Sequence, residues 1–168
     1  MKIGTKKIAL IAMYAAVYAA LVVSLGFMSY GPLNIRLADA MVAAVPILGM
    51  AGVLGHTLGV FIANIFSTAG LIDLLNTIPS FAMAFLVYYT YKKTRNDYTI
   101  IATCTAYSAV LGVTVGWMLS YLYTLPLIEI IFYVFLGNFV SSVLIGWPLF
   151  KGLKKLGLIR WLGAMEQR

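Results

Sequence analysis

The chain is written in long apolar runs, and these limit what it can fold into. Residues 8–27, 98–123 and 127–150 match or exceed the roughly 20 residues that carry an α-helix across a bilayer. Hydrocarbon offers no partners to backbone polar groups, so such runs fold as helices. Composition agrees. Only 10% of side chains are charged and 62% are hydrophobic, against about 25% charged in an ordinary soluble domain. A soluble fold could not cover its surface with so few polar groups, and lipid is the natural solvent. The net charge of +7 does not point to nucleic acid. It is gathered at segment ends, in "MKIGTKK", "KKTR" and "KGLKK", which is the positive-inside pattern of membrane proteins. The single cysteine, Cys104, leaves no internal disulfide or thiolate metal cluster. It lies in an apolar run and reads as packing. The N-terminal apolar segment is longer than a signal-peptide core, shows no clear cleavage site, and is read as retained.

Charge also counts the crossings. Lys2, Lys6 and Lys7 put the N-terminus inside, and Lys92, Lys93 and Arg95 belong inside as well. An even number of crossings lies between them. Two would leave too much apolar chain over, and four fit if they are short. The breakpoints are "SYGPLN", "GMAGVLG" with Gly49, Gly52 and Gly55, and "TAGLIDLLNTIP", where Pro79 falls in the first turn of a helix, a position that tolerates proline. Beyond "KKTR" two more segments meet at the outer turn "TLPLIE". The sequence therefore predicts an all-α, polytopic membrane protein. One integral membrane domain, 1–168, holds helices over residues 8–27, 38–50, 53–70, 77–91, 98–123 and 127–150, with both termini cytoplasmic.

Ionisable groups inside a membrane span are costly and mark function by default. Here they are Arg36, Asp39, Asp73, Glu129 and His56, joined by Asn34, Asn64, Asn76 and Asn138. The predicted topology puts all of them except His56 in the outer half of the bundle. Arg36 and Asp39 stand three residues apart at the start of the second helix. They can line a polar site, or pair with each other and cap that helix. Asn64 and Asn138 can equally be interhelical hydrogen-bond glue, and Asp73 and Glu129 can be interfacial. His56 stands apart and reads as a polar interface residue rather than a ligand. Carboxylates, asparagines and an arginine with aromatics nearby suit a small, polar, planar ligand. Tyr30, Trp117, Tyr121 and Tyr123 offer stacking faces, although most of them fit the interfacial aromatic belt equally well. No grouping has metal-ligand spacing, and nothing calls for a cofactor.

The first helix carries a different signal. Ala12, Ala16 and Ala20 recur every fourth residue, the spacing that lets another helix approach closely. Either a helix of the same bundle or another protein can use that face. No phosphate-binding loop is present, and no Ser/His or Glu/His couple of the kind membrane hydrolases need. There is no inverted repeat, and the bundle is small for a self-contained alternating-access transporter.

Three stretches carry a resemblance: "YGPLNIRLADAMVAAVPIL", "GVFIANIFSTAGLIDLL" and "FLGNFVSSVLIGWPLF". With the alanine stripe, they make the chain resemble the substrate-binding S components of energy-coupling factor (ECF) transporters, and among these the QueT-like, queuosine-precursor family. The resemblance implies a six-helix S component in the plasma membrane of a prokaryote. It would capture a 7-deazaguanine or queuine-type ligand from outside and topple to release it inside. It also implies partners: a transmembrane coupling subunit, docked through Ala12, Ala16 and Ala20, and two cytoplasmic ATPase subunits. Arg36 and Asp39 match the family's arginine followed three residues on by an acid, and Asn64 and Asp73 match its helix-three pair. Asn138 stands where the family pattern has an acidic residue. On this reading Asn34, Arg36, Asp39, Asn64, Asp73, Asn76, Trp117, Glu129 and Asn138 line the substrate site, and none is catalytic. The competing readings are an S component for a flavin, thiamine or biotin, and a membrane enzyme or assembly protein.

Overall fold

The computed structural model describes residues 4–30 and 35–157. They are helical throughout, with no strand among the described residues. The order is α1 (Thr5–Ser24), a short α2 (Gly26–Ser29), a 3-10 helix (Leu37–Ala44), α3 (Val45–Leu48), α4 (Met50–Ile65), a second 3-10 helix (Gly70–Asn76), α5 (Thr77–Thr94) and α6 (Tyr98–Tyr123). Then come α7 (Leu127–Phe139), a π-helical stretch (Val140–Ile145) and α8 (Gly146–Lys155). Four stretches are long and apolar enough to cross a membrane: Thr5–Ser24, Gly70–Thr94, Tyr98–Tyr123 and Leu127–Lys155. Leu37–Leu48 and Met50–Ile65 are shorter apolar helices.

The differences from the predicted boundaries have local causes. The predicted helix 38–50 is mostly 3-10 wound and stops at Gly49, whose φ of +65° is a backbone state open to glycine and strained for other residues. Gly52 and Gly55, predicted to share that turn, lie inside α4 and serve packing instead. A Cβ on Gly55 would stand 2.8 Å from the Cβ of Tyr14, and one on Gly59 2.8 Å from that of Tyr18. Two glycines four residues apart on α4 thus accept two tyrosines four residues apart on α1. Small residues at a membrane helix contact permit this closeness. The predicted turn "TAGLIDLLNTIP" proves largely helical, with Gly70–Asn76 forming the 3-10 helix that runs into α5 at Thr77. The sixth predicted helix is interrupted by the π-helical stretch. Just past it, Gly146 lets α8 close on the first 3-10 helix, where a Cβ would stand 3.0 Å from the Ala40 carbonyl oxygen.

The bundle is apolar outside and carries ionisable groups inside an otherwise apolar core. Phe27, Leu71 and Ile128 are about as exposed as isolated residues, while Arg36, Asp39, His56, Asn64, Asp73, Asn76 and Asn138 are buried. That is the inverse of a soluble domain and suits a lipid surround. On α1, Tyr14, Ala15, Tyr18, Ala19 and Val22 face inward, and Ala12, Ala16 and Ala20 face outward.

One ion cluster fastens the α5–α6 turn to α8. Lys151 donates to Asp97 Oδ2 at 2.7 Å, and Lys154 donates to its Oδ1. Burial raises the Asp97 carboxyl, but the lysine hydrogen bonds outweigh it and hold the group below the ordinary carboxylate range. A carboxyl depressed by folding stabilises fully above its unfolded value, about 3.9, and that contribution fades as pH falls through the lower folded value. Thermal unfolding should therefore show wild type above Asp97→Asn from neutral pH to about 5, with the gap closing below about 4. The exposed lysines keep the gap small.

Candidate functional site

The site begins just ahead of the first 3-10 helix. Ile35 N–H donates to the Met28 carbonyl at 3.0 Å, which ties the extended residues before the 3-10 helix back to α2. Arg36 caps that 3-10 helix in an extended conformation, so its side chain runs inward. Its Nη1 donates to Asn64 Oδ1 at 3.0 Å and its Nη2 to Asp73 Oδ2 at 3.1 Å. Asn64 Nδ2 donates to the Asp73 carbonyl at 2.9 Å, and Asn76 Nδ2 donates to Asp73 Oδ1 at 2.9 Å. The guanidinium carbon lies 5.9 Å from the centre of the Tyr30 ring, whose hydroxyl donates to the Ala63 carbonyl at 2.6 Å.

Asp39 is partnered separately. Tyr18 and Tyr107 both donate to its Oδ1, at 2.5 and 3.0 Å. Of the two readings open to Arg36 and Asp39, mutual pairing is not what the structure holds: Arg36 bonds to Asn64 and Asp73, and Asp39 to two tyrosines. Behind Tyr107 stands His56, its Nε2 3.3 Å from the Tyr107 hydroxyl and its Nδ1 3.3 Å from that of Tyr14. Tyr14, Tyr18 and Tyr107 meet the imidazole edge to face, with centroids 5.1–6.1 Å away. The polar-interface reading of His56 agrees with this setting.

Four residues thus converge through the Arg36–Asp73 ion pair: Arg36, Asn64, Asp73 and Asn76. Asp39 stands three residues from Arg36 with its own donors. Asn138 is buried on α7 and returns Nδ2 to the Val134 carbonyl at 3.0 Å. Trp117 and Glu129 are not brought in: both are exposed, and Trp117 stacks on Tyr121 at the surface. Asn34 lies outside the described residues. Sequence reasoning missed Tyr14, Tyr18 and Tyr107. A tyrosine in an apolar helix reads as belt or packing, yet a buried hydroxyl needs a partner. The matched four-residue spacing of Tyr14 and Tyr18 with Gly55 and Gly59 was the available signal.

Some polar atoms here are buried without a hydrogen-bond partner among the described residues: Arg36 Nε, Asp39 Oδ2, Asn138 Oδ1 and Ser29 Oγ. Such atoms are rare in folded proteins and call for an explanation. Here a donor on Arg36 and an acceptor on Asp39 remain uncommitted while their neighbouring atoms are engaged.

An apolar helical bundle with an ion pair at its centre belongs to the multi-pass membrane proteins, in which buried charge marks a functional site by default. Residues 8–155 match the QueT transporter family. The chain belongs to that family and is a multi-pass transport protein of the cell membrane. No curated protein matches the chain, and no solved structure does.

Removing one partner of a buried ion pair strands the other and costs about 3–5 kcal/mol, whereas replacing both with apolar groups is often nearly neutral. Arg36→Met should therefore destabilise the protein strongly in nanodiscs. Arg36→Met with Asp73→Leu should lose far less than the sum of the single changes, as read by a double-mutant cycle in thermal unfolding.

Proposed function

We propose that this transporter is the substrate-binding S component of an ECF-type importer and that its ligand is a queuosine precursor of the 7-deazaguanine or queuine type. The observation that supports the reading is the uncommitted pair of buried atoms, Asp39 Oδ2 and Arg36 Nε. A 7-deazaguanine presents a ring N–H and an exocyclic amine side by side, with a carbonyl next to them. The two lone pairs of Asp39 Oδ2 can accept the first two, since Oδ1 is taken by the tyrosines, and the Arg36 Nε–H serves the third. Sites built on such bonds reject analogues strongly, because their own buried groups are then left unpaired. Asn64, Asp73 and Asn76 hold Arg36 in place, and Asn138 offers a further acceptor. Asn34, Trp117 and Glu129 complete the proposed set, the last two requiring a movement to reach the others. The chain acts by binding and performs no catalytic step. Its helices form one membrane domain of six crossings with both ends in the cytoplasm.

The ECF module, a coupling subunit with two ATPases, docks on the outward face of α1. The inward turn of Tyr14 and Tyr18 leaves Ala12, Ala16 and Ala20 on the lipid side, with no bulky side chain of the stripe to hold a partner helix off. Ala16→Trp should abolish co-purification with the coupling subunit and leave ligand binding unchanged.

Calorimetry on protein in nanodiscs, titrated with 7-deazaguanine, queuine, riboflavin, thiamine and biotin, tests the substrate. Saturable binding of a deazaguanine, weakened about tenfold to a hundredfold by Asp39→Ala, is the expected result, since a hydrogen bond to a charged group contributes about 1.5–3 kcal/mol. Binding of a control vitamin in its place would remove this substrate and keep the transporter.

A further inference from the structure

The groups behind Asp39 form an unbroken line from α1 to the carboxylate: Tyr14 hydroxyl, His56 ring, Tyr107 hydroxyl, Asp39 Oδ1. Hydrogen-bond accounting gives that line a direction. A phenol has one proton to donate. The bonds to the carboxylate, 2.5 Å from Tyr18 and 3.0 Å from Tyr107, are shorter than the two 3.3 Å contacts of the imidazole. Hydrogen bonds to an ionised acceptor are the shorter and stronger class, so Tyr107 commits its proton to Asp39. Its oxygen can then only accept from His56, which puts the imidazole proton on Nε2. Nδ1 is left as an acceptor for the Tyr14 hydroxyl. Every proton in the line points toward Asp39.

We propose that His56 is a positioning residue for the ligand site: as a neutral Nε2–H imidazole it orients Tyr107, and Tyr107 with Tyr18 locks the Asp39 carboxylate so that Oδ2 stays free for a ligand donor. The inference rests on the binding role proposed for Asp39, and adds to it a residue two hydrogen bonds away. It accounts for an otherwise unexplained arrangement. Two hydroxyls crowd one carboxylate oxygen while the other, equally buried, has none. An aspartate free to rotate would share its donors between both oxygens. The line also ties the site to α1, because Tyr14 and Tyr18 are held by the close approach of that helix to Gly55 and Gly59. A ligand that pulls on Oδ2 therefore pulls on the inward face of α1.

The chain has one histidine, so histidine labelled with nitrogen-15 gives the spectrum of His56 alone in ligand-free, full-length protein in nanodiscs. The expected result is a neutral ring protonated on Nε2. Asp39→Asn should move the Nε2 signal, and should move it far less in a Tyr107→Phe background. A proton on Nδ1, a doubly protonated ring, or a ring indifferent to Asp39→Asn overturns the proposal. A second arm uses 7-deazaguanine as the probe. His56→Phe, which keeps the ring packing and loses both hydrogen bonds, should weaken its binding about tenfold, equivalent to 1.4 kcal/mol. His56→Gln, whose amide supplies both a donor and an acceptor group, should recover most of that. Unchanged affinity in His56→Phe also overturns it. If wild type binds no deazaguanine, the proposed substrate fails, and the spectrum alone decides the role of His56.

Discussion

A guanidinium and two carboxylates placed in a medium of low dielectric need partners close at hand, and the architecture follows from meeting that need. Asp73 neutralises Arg36, Asn64 accepts from its Nη1 and Asn76 donates to the other Asp73 oxygen, and only the guanidinium Nε is left over. Those partners come from the end of α4 and from the second 3-10 helix, and Arg36 itself stands at the start of the first, so the charge cluster pins three elements at one point. Asp39 draws in two more, α1 and α6, through its tyrosine donors. An isolated charge in such surroundings would be strongly unfavourable, and a paired one roughly breaks even. The cluster is better understood as a device for geometry than as a source of stability, because it determines where each helix must stop and which way each side chain must turn.

Helix packing works to the same end with different means. Gly55 and Gly59 remove the bulk that would keep Tyr14 and Tyr18 away, and Gly112 and Gly116 do the same for α7 against α6, where added Cβ atoms would meet Phe135 and Ile131 at 2.9 and 2.8 Å. In lipid there is little hydrophobic drive to press helices together, so close van der Waals contact carries association. The tyrosine hydroxyls arrive at His56 and Asp39 because the backbones come this close.

Much of this could be read from the chain alone, and the part that could not has a physical reason. Segment lengths and proline positions placed α6 at residues 98–123 and the starts of α5 and α7 at residues 77 and 127, because a stop in apolar periodicity is local information. The 3-10 winding of Leu37–Ala44 was hidden, since an apolar run reports burial and not hydrogen-bond period. Gly52 and Gly55 looked like a turn because a glycine that breaks a helix and one that admits a neighbour read alike. Arg36, Asp39, Asn64, Asp73 and Asn76 stood out as polar residues in apolar surroundings. Their pairing did not, because Arg36 finds Asp73 across 37 positions of sequence. The tyrosine shell was masked by an amphipathic side chain that suits both a membrane interface and a core.

The π-helical stretch Val140–Ile145 sets the phase of everything after it. A single wide turn amounts to one extra residue in an otherwise α-helical rod, and one residue is about 100° of rotation at 3.6 residues per turn. Gly146 meets the Ala40 carbonyl, and Lys151 and Lys154 meet Asp97, only in that phase. Rewinding the wide turn to regular α would swing α8 like a key in a lock, withdrawing Gly146 from the helix that carries Asp39 and the two lysines from their anchor at the opposite end. The rod is thus indexed rather than continuous, and one wide turn fixes which faces of α8 meet the rest of the bundle.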